Sequence, residues 1–385
     1  MASGARFAFS DEQRQLRAAV GKFCAENFGE RAARRLQESG EPFDTGLWRR
    51  LGSELGVLGL SVSEDDGGAG GCLVDQAVAV EEFGASLTAG PLFGTVYLAI
   101  PALAACPPGP NRTNLLGALV AGERAAAVAV ADHAGAFRPD RVTVTADGDR
   151  LTGTAARVVD ATGADVLLVA AKGAGGVSLY AVDSTDAERT PLVTMDHTRP
   201  QAAVAFADSP ARMLAGPGDT ERVITHALQV GAALLAVEQV GAAQHLLDLS
   251  VDYAKSRLQF GRQIGSFQAV KHRLADMLVD LEHARSTAYH AVWALADGSD
   301  DPALAASIAK ATCSAAFSRI AADSIQVHGG IGFTWEHQAH LYFKRAATDA
   351  ALLGSAEQHR DRVAELVLDT AVADDRAVKV ATGRP

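Results

Sequence analysis

The chain has 385 residues, 48% of them hydrophobic and 21% charged, which is enough apolar matter for a large core and two or three packed units and excludes a disordered chain. Its net charge of −11 argues against nucleic-acid or anionic-membrane binding, because neither polyanion would be drawn to the average surface. Four widely spaced cysteines (Cys24, Cys72, Cys106, Cys313) with no Cys-x-x-Cys pairing read as reduced intracellular thiols, not as disulfide staples or metal ligands.

The opening residues 1–16 contain no apolar core of signal-peptide length, and no apolar run reaches the roughly 18 residues of a membrane span, so the reading places the chain in the cytoplasm. Ser10 followed by Gln13 predicts a capping box, and Leu16, Val20 and Phe23 continue at helical spacing. Asp44 is expected to cap a helix carrying Leu47, Trp48, Leu51 and Leu55 on one face and stopping near Gly56. A glycine-rich loop over 63–71 leads to a helix around Val74–Phe83, behind which Pro91 and Pro101 are expected to break up an apolar segment.

From about residue 120 the period turns from helical to alternating. Strands are predicted at Ala126–Ala131, Val142–Ala146, Leu151–Val159, Asp165–Ala171, Val177–Val182 and Ala202–Phe206, with Asp147-Gly148 as a hairpin turn. After Gly216-Pro217-Gly218 the helical period returns near 219–256, 266–297, 302–328 and 337–371. The apolar stretch 227–249 is interrupted by Gln229, Glu238, Gln239, Gln244 and His245, which fits buried core and subunit interface better than a membrane anchor. The order predicts an α+β chain: an N-terminal helical domain over 1–119, a middle β-barrel or sandwich domain over 120–216, and a C-terminal four-helix bundle over 217–385.

Two motifs carry the chemistry. The first is Tyr253-Ala-Lys-Ser-Arg257-Leu-Gln-Phe260-Gly261-Arg-Gln-Ile264-Gly-Ser-Phe267-Gln268. An arginine can fork onto a pyrophosphate, a phenylalanine can lie beside an aromatic ring system, and a glycine permits close backbone approach. Read as isolated residue types, the same stretch fits a plain helix–turn–helix equally well. The second, Gln326-Val-His328-Gly329-Gly330-Ile-Gly332-Phe333, follows some sixty residues later, and successive glycines can expose amides to phosphate oxygens. His328 reads as a structural or hydrogen-bonding residue at a helix end. No Gly-x-Gly-x-x-Gly follows a first strand, which removes the nicotinamide-type dinucleotide fold.

Together these motifs and the helix, strand, helix order resemble the acyl-CoA dehydrogenase family over nearly the full length, with the first motif matching the family's Arg-x-x-Phe-Gly-x-x-Ile-x-x-Phe-Gln stretch. The resemblance implies FAD, contacted by Arg257, Phe260, Gly261, Gln268, Gln326, Gly329, Gly330 and Ser355 across a subunit boundary, an acyl-CoA thioester as substrate, and an electron-transfer flavoprotein as acceptor. It also implies a carboxylate that removes the α-proton while the β-hydride passes to the flavin.

That carboxylate is missing. The family's Tyr-Glu-Gly-Thr base motif matches Leu352-Leu353-Gly354-Ser355, which puts Leu353 at the base position. The alternative position used by some members, ahead of the Arg-Phe-Gly motif, falls on Gly231, and Ala232 stands where an arginine often follows. Glu238 and Glu357 remain as weak candidates. In the β domain, residues 131–136 and Arg157-Val-Val-Asp160 replace family segments that contact the flavin ring and acyl chain. The segments Thr194–Arg199 and Leu352–Arg360 resemble the base-lacking subunits of actinobacterial α2β2 acyl-CoA dehydrogenases, which implies a partner subunit carrying the glutamate. An active homo-oligomer with a relocated base and a non-catalytic scaffold of the same fold are the alternatives.

Overall fold

The computed structural model describes residues 8–369 apart from Ala131 and Ala134, so the departure read at 131–136 lies partly outside the described residues. The first helix, α1 (Asp11–Asn27), begins with the predicted box: Ser10 Oγ accepts from the Gln13 amide at 3.2 Å, and Gln13 Oε1 accepts from the Ser10 amide at 3.1 Å. After α2 (Glu30–Ser39), Asp44 caps α3 (Thr45–Ser53) by accepting from Gly46 N and Leu47 N, both at 2.9 Å, and α3 turns Trp48 and Leu51 into the core. Then come α4 (Leu73–Ala85), a wide-turn helix Leu92–Ala99, α5 (Ile100–Ala105) and α6 (Pro110–Val120).

The expected break at Pro101 does not occur. Pro101 sits at the start of α5, where the ring's fixed φ suits the helix, and the chain runs on from the wide turn without interruption, short only of the bond a Pro101 N–H would have made to that turn.

The middle layer is one eight-stranded mixed sheet. Its strands are β1 (Ala126–Ala129), β4 (Thr145–Asp147), β5 (Arg150–Val159), β6 (Val166–Gly173), β7 (Gly176–Asp183), β8 (Glu188–Pro191), β9 (Gln201–Pro210) and β10 (Arg212–Ala215). Two dipeptide strands, β2 (Asp132–His133) and β3 (Ala136–Phe137), form a separate hairpin. The path runs β10-β7-β6-β4-β5-β9-β8, with β1 parallel to β6. Buried from Val166 to Ala171, β6 has its faces covered, which accounts for its unbroken apolar run. Asp147 pairs with Arg150 across the predicted tight turn, where Gly148 takes φ +60°.

The last layer is helical: α7 (Pro217–Ser256), a hairpin of β11 (Leu258–Gln259) and β12 (Arg262–Gln263), α8 (Gln268–Asp297), α9 (Pro302–His328), α10 (Ala339–Ala351) and α11 (Ala356–Ala364). Among the described residues α7 alone is long and apolar enough to cross a membrane, yet 83% of its most apolar window is buried within the fold. It packs against α4 through glycines. A Cβ at Gly241 would lie 1.9 Å from Glu81 O, and one at Gly84 would lie 2.0 Å from Glu238 O. The helix expected over 337–371 is corrected to two, α10 and α11, because Leu353 and Gly354 take φ of +55° and +96° and reverse the chain.

Candidate active site and cofactor-contact surface

Both motifs come to one end of the C-terminal bundle. The first closes α7 and forms the β11–β12 hairpin, at whose tip Phe260 and Gly261 take φ of +53° and +76°, the pair of positive angles that a tight hairpin turn demands. Phe260 is 90% exposed, and Arg257, Gly261 and Gln268 are exposed around it. The second motif closes α9. The His328 ring lies 4.5 Å from that of Tyr253, locking the two helix ends together, while His328 Nδ1 donates to Ser324 O at 2.7 Å.

Gln326, Gly329 and Gly330 face solvent beside this junction, and Phe333 and Trp335 are exposed nearby. Gly329 needs its freedom at φ +64°. Gly330 has neither a positive φ nor any atom within 4 Å of where a Cβ would sit, so nothing inside the chain requires a glycine there. The eighth motif residue, Ser355, stands apart. It caps α11, its Oγ accepting from Gln358 N at 3.3 Å while Gln358 Oε1 accepts from Ser355 N at 2.9 Å.

A cavity of about 500 Å³ opens where the three layers meet. Phe93, Gly94 and Leu98 of the wide-turn helix line one side, Val128, Arg157 and Val159 the sheet side, and Leu228, Ala351 and Leu353 the bundle side. Leu353, which the sequence reading set at the base position, is buried at 6% exposure. Gly231, the alternative position in that reading, adjoins it: a Cβ built there would lie 3.3 Å from Leu353 Cδ1 and 2.6 Å from Leu98 Cδ2. Two positions 122 residues apart in sequence (353 − 231) therefore address one point in space, and leucine side chains fill it.

Behind the cavity wall lies a buried ionic cluster. Glu238 Oε1 accepts from both Arg199 Nη2 and Arg345 Nη1. Arg345 Nε also donates to Asp196 Oδ2 at 2.8 Å, and its Nη2 donates to Thr198 Oγ1 at 2.5 Å. Burial alone would raise the Glu238 carboxyl, but the two guanidinium groups outweigh it and hold its pKa below the ordinary value. Asp349 is the opposite case. It is fully buried, neither oxygen has a hydrogen bond, and the nearest cation is Arg199 Nε at 3.6 Å, so burial pushes it up to about 7. Asp160 accepts from Gly94 N at 2.8 Å, and burial raises it to about 6 against the pull of Arg199.

Neither glutamate candidate reaches the cavity lining. Glu238 is spent on the two arginines, and Glu357 stands on the surface with 77% of its side chain exposed, 3.7 Å from Arg360. Sequence reading missed Arg345 and Asp349 altogether. Their only local signal is an i, i+4 pair on α10, which describes countless solvated helix faces.

The fold agrees with what family comparison finds. Residues 10–123 match the model of the acyl-CoA dehydrogenase N-terminal domain and residues 221–368 that of the C-terminal domain. The chain belongs to the acyl-CoA dehydrogenase family. It is similar to acyl-CoA dehydrogenase IpdE2 of Mycobacterium tuberculosis, at 37% identity over 348 residues, covering 90% of this chain and 95% of the relative. Among solved structures it resembles a variant of the Tcur3481-Tcur3483 steroid ACAD, with TM-score 0.84 and 31% identity over 94% of this chain and 99% of that one. The ChsE4-ChsE5 complex from Mycobacterium tuberculosis is similar at TM-score 0.84 and 28% identity, over 94% and 98% of the respective chains.

Proposed function

We propose that this chain is the base-lacking subunit of a heteromeric FAD-dependent acyl-CoA dehydrogenase, and that a partner subunit supplies the glutamate that takes the α-proton. The observation that carries the reading is the contact between Leu353 and the Gly231 position: both places where the family keeps its base are filled by leucine. Hydrocarbon cannot accept a proton.

The residues at the bundle end fit the adenine and pyrophosphate portion of a dinucleotide. Arg257 offers a planar fork of donors, Phe260 an exposed ring, and Gly329 and Gly330 bare backbone that a phosphate can approach. Gln268 and Gln326 add neutral donors and acceptors beside them. When bound, FAD supplies the hydride acceptor; this chain's part is to hold and orient its far end while the partner's carboxylate does the proton chemistry. Two similar structures support this reading: one is named as the ChsE4-ChsE5 complex, and the other carries the paired name Tcur3481-Tcur3483.

The test is flavin content and turnover. Expressed alone, the chain is expected to purify nearly colourless and inactive with an acyl-CoA and a ferrocenium acceptor. Co-expression with a glutamate-bearing homologue should yield a yellow, active complex. Near-stoichiometric FAD with turnover from the lone chain would sink the reading.

A further inference from the structure

The cavity at the junction of the three layers is set up to bind without reacting. Of the residues lining it, Arg157 is the only charged one, and no aspartate or glutamate reaches the lining. Four lining side chains are polar: Arg157, Thr194, Gln201 and Thr348. Thr194 Oγ1 donates to Asp196 O at 3.0 Å. The side chains of Arg157, Gln201 and Thr348 bond no other group of the chain among the described residues. The remaining walls are apolar, from Phe93, Leu98 and Val128 to Leu228 and Leu353.

An unpaired guanidinium with two free hydrogen-bonding side chains, beside the apolar side chains of a mixed cavity of about 500 Å³, is chemistry for an amphipathic anion. The setting isolates that positive charge. The chain as a whole carries −11, and in the cluster behind the wall Arg199 and Arg345 are paired with Glu238 and Asp196.

We propose that this cavity binds an apolar carboxylate, the carboxylate paired with Arg157 and the hydrocarbon body against Phe93, Leu98 and Leu228, and that it holds this ligand without turnover. A planar carboxylate suits the arginine fork, and the apolar side chains of the lining suit the hydrocarbon body. The proposal needs neither the partner nor the flavin.

Calorimetric titration of the full chain, alone and in its co-expressed complex, tests it with decanoate, decanol and decanoyl-CoA as probes. Decanoate is expected to bind at least tenfold more tightly than decanol, and Arg157→Gln to bring the two to equal affinity. Arg157 is an exposed strand residue, so that variant should fold as the parent does. Ala351→Trp, which puts an indole into the chamber from its exposed bundle-side rim, should abolish decanoate binding. No binding of decanoate, equal affinity for decanol, decanoate binding unchanged by either substitution, or tighter binding of decanoyl-CoA that ignores Arg157 would each overturn the assignment.

Discussion

Replacing Asp349 by asparagine should stabilise the protein by an amount that grows as pH rises from about 4 to about 7 and is constant above that. The carboxyl is 0% exposed and lacks hydrogen bonds, so its ionised form is poorly accommodated, and its folded pKa of about 7 stands above the ordinary 3.8. The folded chain therefore holds this proton when the unfolded chain has lost it, and stability falls as pH rises from about 4 to about 7, at about 1.4 kcal/mol per unit. Between pH 5 and pH 8 two of those units are crossed, which makes the loss roughly 3 kcal/mol. Asparagine has nearly the same shape and no proton to lose. Urea midpoints of both proteins at pH 5, 6, 7 and 8 isolate the effect, because Asp160 and the buried histidines titrate in both and cancel in the difference. A difference between the two that stays constant from pH 5 to pH 8 would refute the account of Asp349.

Gly241→Ala and Gly84→Ala should each destabilise by about 3 kcal/mol, since the added methyl meets a backbone carbonyl at 1.9 or 2.0 Å and α4 must part from α7. Gly117→Ala, on α6 with nothing within 4 Å, serves as control and should be neutral or stabilising by about 0.5 kcal/mol; thermal melts of the three distinguish these outcomes. Phe260→Ala should leave the melting temperature within about 1 °C because the ring is 90% exposed, while the flavin-to-protein ratio of the complex after gel filtration should drop at least tenfold. A full complement of flavin in that variant would remove Phe260 from the cofactor site.

What could be read in the sequence was what short-range chemistry decides. The Ser10–Gln13 box, the Asp44 cap and the Asp147-Gly148 turn each depend on residues within four positions, and each forms as expected. Helix α2 went unread because Ala33 and Leu36 are a thin apolar signal among charges. Strands β8 and β10 were passed over for a related reason: Glu188–Pro191 is mostly exposed and polar, and Arg212–Ala215 owes its state to pairing with β7. The ionic cluster was invisible because Asp196, Arg199, Glu238, Arg345 and Asp349 reach it from a loop, α7 and α10, and no spacing within one segment announces that meeting. Gly231 and Leu353 could be read from sequence only as two separate positions; that they adjoin is a fact of the fold.

Under the proposed reading, the turn that carries Leu353 accounts for a base position held by leucine in an unchanged fold. A leucine at φ +55° sits in a conformation that costs about 1 kcal/mol, so the residue does not choose this backbone for itself. Its neighbours impose it. His359 Nε2 donates to Leu353 O at 2.7 Å, and the fully buried Lys310 Nζ donates to Gly354 O at 2.9 Å, fixing both carbonyls of the reversal from outside the turn. Gly135 closes the third side, where a Cβ would stand 2.6 Å from Leu353 O. With the backbone held by Lys310, His359 and Gly135, the side chain at 353 is free to change between a proton acceptor and hydrocarbon without moving the chain. Lys310 also lies sixteen residues before Gln326, about 24 Å along α9, which separates this turn from the motif surface at the bundle end. Substitution at 353 therefore leaves that surface as it is, and under the proposed division of labour chemistry passes to the partner while cofactor contact stays with this chain.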